Sequence, residues 1–127
     1  MFMKEVGSDE YLNGLKAYEE RDFVLAIKLW RPLASAGDAR AQVGVAICLL
    51  YGSVGRGNLV KTDYPAAIEW LRKAATQSEP TAQFQLGQCH EQGRGVPQNS
   101  ALAIELYRSA AENGHAYSRR KHLADAV

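Results

Sequence analysis

The chain has 127 residues, a net charge of +1, and 46% apolar against 23% charged side chains. That length suits one small domain with its own core, and the balance of residue types excludes wholesale disorder. A near-neutral total removes the electrostatic case for a nucleic-acid binder or a polybasic membrane anchor, and no apolar run of about 18 residues is present to span a bilayer.

The start, Met1 to Gly7, lacks the basic flank, apolar run and small-residue cleavage site of a secretory signal. Cys48 and Cys89 are too few for a disulfide scaffold, so a reducing cytoplasm is the expected setting. Ser8 to Glu20 reads as a first helix, with Ser8 as its cap and Asp9 and Glu10 beside the positive helix start. Asp22 can accept the free N–H groups of a second helix over 22–36, and Gly37 follows its last turn, where a left-handed residue closes a helix most easily. Asp38 to Leu50 is apolar-periodic and predicts a third. Gly52-Ser53-Val54-Gly55-Arg56-Gly57 has the look of a phosphate loop, but it follows a helix and lacks the Gly-Lys-Ser/Thr ending. It reads as a flexible turn. Asp63, with Pro65 just inside, opens a helix over 63–77; Ser78 to Gln92 is the next; Asn99 opens one over 99–113, closed by Gly114. His115 to Val127 continues in register but is richer in charge, the pattern of a capping helix whose outer face meets water.

These elements repeat. Ala26-Ile27-Lys28-Leu29-Trp30, Ala67-Ile68-Glu69-Trp70-Leu71 and Ala103-Ile104-Glu105-Leu106-Tyr107 align without gaps, at spacings of 41 and 36 residues. Ala26 to Ala46, Ala67 to Gly87 and Ala103 to Leu123 are each 20 residues apart, whereas Gly14 to Ala26, Ala46 to Ala67 and Gly87 to Ala103 span 12, 21 and 16. The turn into the next unit is therefore expected to be a packed interface, and the loop within a unit a surface loop that absorbs insertions. The small residues Gly14, Ala46 and Gly87 are expected to meet Ala26, Ala67 and Ala103 where paired helices cross. The units run over about 8–37, 38–77 and 78–114, with a cap at 115–127, all within a single domain.

The third unit carries the residues of a known family most fully: Leu86-Gly87, Gly93-Arg94-Gly95-Val96-Pro97, Asn99, Ala103, Leu106, Ala110-Ala111 and Gly114. The second keeps Asp63, Ala67, Trp70 and Ala74-Ala75 but has five extra residues within 51–62 and Ser78 in place of the turn glycine. The first has Gly14, Ala17, Phe23, Ala26 and Trp30 around a short internal turn. Together they resemble the Sel-one-like repeats, relatives of the tetratricopeptide repeats. The resemblance implies an all-α, right-handed α-α superhelix of about three helix pairs plus a capping helix, acting as a non-enzymatic protein-interaction scaffold. It implies no particular partner.

By the same resemblance the first helix of each pair lines the concave face. The partner-binding positions are then Tyr11, Leu15 and Tyr18; Arg40, Val43, Ile47, Leu50 and Tyr51; Thr81, Phe84, Gln88 and Glu91; and Tyr117 and Arg120 in the cap. Aliphatic and aromatic anchors edged by Arg40, Glu91 and Arg120 suit an amphipathic helix or an extended peptide. Two other readings stand beside this one: helix 38–50 is simply central and buried on most sides, or the apolar face closes on a second copy of the chain.

Little else points to chemistry. Cys48 and Cys89 share a repeat position on successive helices, about 8–10 Å apart where a disulfide needs about 7 Å or less. Cysteine-rich members of the family pair cysteines within one repeat, a pattern lacking here. His90 stands where the family has an aromatic residue and reads as a packed or hydrogen-bonded side chain. His115 and His122 lie seven residues apart, too far for a helical metal pair, so no metal or cofactor is expected. Ser118-Arg119-Arg120-Lys121 matches the Ser-x-x-Lys string of penicillin-recognising enzymes without their other signatures. Some family members have been linked with β-lactam binding, which leaves a β-lactam-recognising hydrolase as a remote third reading.

Overall fold

The computed structural model describes residues 9–55 and 58–115. Every helix begins where a side-chain oxygen accepts a backbone N–H of the first turn. These caps are Asp9, Asp22, Asp38, Asp63, Glu79 and Asn99, and they open α1 (Glu10–Glu19), α2 (Phe23–Ser35), α3 (Ala39–Tyr51), α4 (Tyr64–Ala75), α5 (Pro80–Gln92) and α6 (Ser100–Glu112). One cap differs from the sequence expectation. Asp9 rather than Ser8 opens α1, because its carboxylate reaches the Tyr11 N–H. Glu79 opens α5, and Ser78, standing in place of the turn glycine, takes a positive φ of 62° in the preceding turn. The expected capping helix over 115–127 lies outside the described residues apart from His115.

Consecutive helices pack as antiparallel neighbours, and α1 also touches α3, so three helix pairs stack into a short α-solenoid. Alanines allow the close approach: Ala26, Ala41, Ala46, Ala67, Ala74, Ala82 and Ala110 have no exposed surface. Gly14 and Gly87 do lie at crossings, but the partners differ from the expectation. A Cβ at Gly87 would meet the Tyr107 ring at 2.8 Å before the Ala103 carbonyl at 3.4 Å, and one at Gly14 would meet the Trp30 indole at 2.3 Å. The rings lie four residues beyond Ala103 and Ala26, one turn along the same face.

Two sets of backbone hydrogen bonds explain the repeat arithmetic. Between units, the N–H groups of Asp38, Glu79 and His115 donate to the carbonyls of Leu33, Ala74 and Ala110, at 3.0, 3.2 and 2.8 Å. Gly37 and Gly114 take φ of 106° and 101° in these turns, and Ser78 adopts the same left-handed region at some cost. Within units, the N–H groups of Asp22, Asp63 and Asn99 donate to the carbonyls of the equivalent residues Ala17, Leu49 and His90, each at 2.8 Å. The loop leaves and returns through the same bond whatever its length.

In the second unit that longer loop is not the expected flexible turn. It forms a small antiparallel hairpin, β1 (Ser53–Gly55) and β2 (Asn58–Val60), lying against α2, with Val60 buried in the core. These strands sit inside a loop and add no layer to the helical stack. Among the described residues no helix is long and apolar enough to cross a membrane.

Buried amides tie the helices together within units, and one of them reaches across to the preceding unit. Gln42 donates to the Ala34 carbonyl at 3.0 Å and accepts from Gln77 at 3.1 Å; Gln83, at the equivalent position, accepts from Asn113 at 3.0 Å. An unpaired buried amide costs about 1–3 kcal/mol, so the pairs fix one stacking register.

Candidate functional site

The inner face is made by α1, α3 and α5, and between them lies a cavity of about 230 Å³. Tyr11, Leu15, Tyr18, Arg40, Val43, Ile47 and Thr81 line it, together with Trp30, Gly44 and Glu79. The sequence analysis selected the first seven of these. It missed the other three. Trp30 belongs to a second helix, yet its ring passes between α1 and α3 and forms the floor. A Cβ on Gly44 would stand 2.5 Å from that ring, just as one on Gly14 would crowd its opposite side. The signal was present in the sequence: a glycine on each neighbouring helix facing the largest side chain of α2.

The floor is fixed as well as apolar. The Trp30 Nε1–H donates to the Tyr11 carbonyl at 3.0 Å, and the Tyr11 ring stacks on the indole with centroids 5.7 Å apart. Tyr18 closes a second side at 5.9 Å from the indole. Arg40 covers the free face of Tyr11 at 4.3 Å from its centroid, a cation–π contact. Its guanidinium bridges the caps of two units, reaching Asp9 at 3.1 Å and Asp38 at 3.2 Å. The hydrogen bonds that Arg40 donates to these carboxylates raise its pKa and hold the Asp9 carboxyl below its ordinary range. Burial raises the Tyr11 pKa, helped by Asp38, Glu79 and Asp9 and opposed by Arg40.

The remaining expected positions separate from this cavity. Leu50 is a correction: it is 2% exposed and packs in the core, because α3 is covered on almost every side. Val43 lines the cavity but offers it only a buried edge. Tyr51 is half exposed and donates to Gln85 at 2.9 Å. Phe84 stacks on His115 at 4.5 Å, Gln88 is half-buried, and Glu91 accepts the Tyr107 hydroxyl. None of these four reaches the cavity. Tyr117 and Arg120 lie outside the described residues, as do Ser118, Lys121 and His122.

The buried thiols and His90 lie apart from the cavity. Cys48 and Cys89 are free buried thiols; burial pushes Cys48 up to about 11 and Cys89 upward too. His90 is buried with its Nδ1 lacking a hydrogen-bond partner. Among the described residues no group of three His, Cys, Asp or Glu is placed to hold a metal.

Stacked helix pairs with an apolar, aromatic-floored inner face define a helical repeat protein, a short α-solenoid. The family model "Sel1 repeat" matches residues 3–38, 39–79 and 80–115, and the chain belongs to that family. Members generally act through protein–protein contact. The yeast (Saccharomyces cerevisiae) chitin synthase regulator SKT5 is 32% identical over 93 residues, covering 73% of this chain and 13% of that protein. The mouse DAP3-binding cell death enhancer 1 is 33% identical over 60 residues, covering 47% and 12%. The chain thus spans about an eighth of the length of these relatives. Among solved structures, a Sel1 repeat protein from Oxalobacter formigenes superposes with a TM-score of 0.76 at 30% identity, covering 89% of this chain and 43% of that one. A protective antigen of uropathogenic Escherichia coli with an SLR fold gives 0.73 at 30%, covering 86% and 23%.

Proposed function

We propose that the chain is a non-enzymatic adaptor whose inner face holds a helix or peptide of a partner protein. The observation that carries this reading is the cavity between α1, α3 and α5, with Trp30 as a rigid floor and Tyr11, Leu15, Tyr18 and Ile47 as apolar walls. At about 230 Å³ it is smaller than the ~300–1,000 Å³ typical of small-molecule sites, and suits one or two anchoring side chains. Aromatic walls that are already stacked lose little freedom on binding. The names of two relatives, a regulator and a DAP3-binding protein, support an interaction role.

The test places a photo-crosslinking amino acid at Leu15 or at Ile104, which is 55% exposed on α6. The reading expects a partner captured from Leu15 and not from Ile104, with capture abolished by Ile47→Asp at unchanged melting temperature. Equal capture from both positions, or capture that survives Ile47→Asp, would refute it.

A further inference from the structure

The outer face of α2 departs from its two counterparts. On α4 and α6 a glutamate precedes an arginine by three residues, as Glu69-Arg72 and Glu105-Arg108, a spacing at which opposite charges attract. On α2 the same two positions are Lys28 and Arg31. The helix carries no carboxylate at all, and among the described residues neither cation makes an ion pair. Two like charges one turn apart repel, so this arrangement is unfavourable for the isolated chain.

Those cations edge a shallow trough. It has a volume of about 460 Å³ and is lined by Val24, Ile27, Lys28, Arg31 and Pro32. Val24 and the adjacent Leu25 are 41% and 39% exposed, whereas the counterparts of Val24 are Pro65 and Ala101. The offsets from Val24 to Ile27, Lys28 and Arg31 are three, four and seven, so all four share one face of α2. The other sides of the helix are covered by α1, α3 and the hairpin.

We infer that this face of α2 is a second docking surface, separate from the inner cavity, and that its occupant is an acidic amphipathic peptide segment of a partner protein. Its apolar side chains would cover Val24, Leu25 and Ile27, and its carboxylates would neutralise Lys28 and Arg31. Charge complementarity selects that occupant: the trough offers two cations and apolar surface, with no carboxylate among its lining residues. A partner rich in Lys or Arg would meet like charge there.

The probes are three sets of short fluorescent peptides with identical apolar residues at helical spacing, interleaved with Asp/Glu, Lys/Arg or Ser/Gln. Vesicles of phosphatidylserine provide a fourth. The inference expects the acidic set to bind best and to loosen as salt rises. Lys28→Glu, which copies the residue of α4 and α6, should weaken it about tenfold, with Lys28→Gln as a milder second variant. Ile47→Asp, which disables the inner cavity, should leave this binding unchanged, so the two sites fail independently. The inference is overturned by equal binding of the three sets, by acidic-set affinity unaffected by Lys28→Glu and Lys28→Gln, by loss of the acidic set in Ile47→Asp alone, or by uptake on vesicles with no peptide bound.

Discussion

Trp30 is a wedge held from both sides, and Gly14→Ala is the substitution that tests it. In a helix interior, alanine normally stabilises over glycine by about 0.8–1 kcal/mol. Here the added methyl would stand 2.3 Å from Trp30 Nε1 and 2.4 Å from Cδ1, far inside contact distance. The indole cannot retreat, because a Cβ built on Gly44 lies only 2.5 Å from its other edge, which leaves no spare room there. Overpacking of this kind costs about 1–3 kcal/mol. Displacing the ring also strains its hydrogen bond to the Tyr11 carbonyl, worth about 1 kcal/mol, and its stacking on Tyr11, worth about 0.5–1.5 kcal/mol. The losses outweigh the propensity gain, and the expected net destabilisation is about 1–3 kcal/mol. For a chain of this size that lowers the melting temperature by roughly 4–12 °C, measured by far-UV circular dichroism. A rise of a few degrees would mean the propensity term acts alone and the wedge is wrong. The double variant Gly14→Ala/Trp30→Leu copies the second unit, where the buried Ala46 and Leu71 hold these positions. It should be less destabilised than the two single effects summed, as expected for two residues that share one packed site.

Other consequences are as direct. Ser78→Gly removes a side chain from a φ of 62° and should raise stability by about 0.5–1 kcal/mol in chemical denaturation, the αL relief being partly offset by a more flexible unfolded chain; a decrease would contradict the left-handed turn. Cys48, with its thiol pushed up to about 11 by burial, should resist a disulfide reagent at pH 8 in the native state and react only on unfolding; prompt labelling would place it at the surface. Burial lowers the His115 pKa below 6.5, against an opposing pull from Glu79. The folded state therefore binds that proton less tightly than the unfolded chain, so His115 contributes stability fully present above pH 6.5 and lost as pH falls through its lowered folded value. An NMR titration of the His115 ring should show a midpoint below 6.5, and a higher midpoint would refute this.

Local features were legible in the sequence because local chemistry produces them. Asp22, Asp63 and Asn99 cap helices through groups a few residues away, and Gly37 and Gly114 supply the backbone freedom their turns require. The constant 20-residue step likewise announced a fixed turn. What failed depends on partners distant in sequence. Leu50 lies on the same helical stripe as Ile47, but a stripe cannot tell an inner face from a core when the helix is enclosed on both sides. The hairpin became visible only once α2 was in place to receive it. Gln42 and Gln83 look like ordinary polar residues until they are buried and their partners, Gln77 and Asn113, arrive from the next turn.

The two kinds of connection differ in tolerance for a physical reason. Between the bonded carbonyl and N–H of each unit lie residues 18–21, 50–62 and 91–98. Lengthening such a loop about threefold costs only about 1 kcal/mol of closure entropy, since the cost grows with the logarithm of length. The long loop offsets this by burying Val60 under the hairpin, worth about 1.5–3 kcal/mol at full burial. An extra residue in the turn between units has no such outlet. It would break the bond made by the N–H of Asp38, Glu79 or His115 and change the direction in which the next helix leaves the turn. In the first such turn Gln42 would lose the Ala34 carbonyl and the adjoining alanines their contact, so every later pair would lose its register at once. The cavity floor depends on that register, since Trp30 is gripped by glycines from two different units. Insertions are therefore accommodated in the loops within units, where they leave the register that shapes the inner face intact.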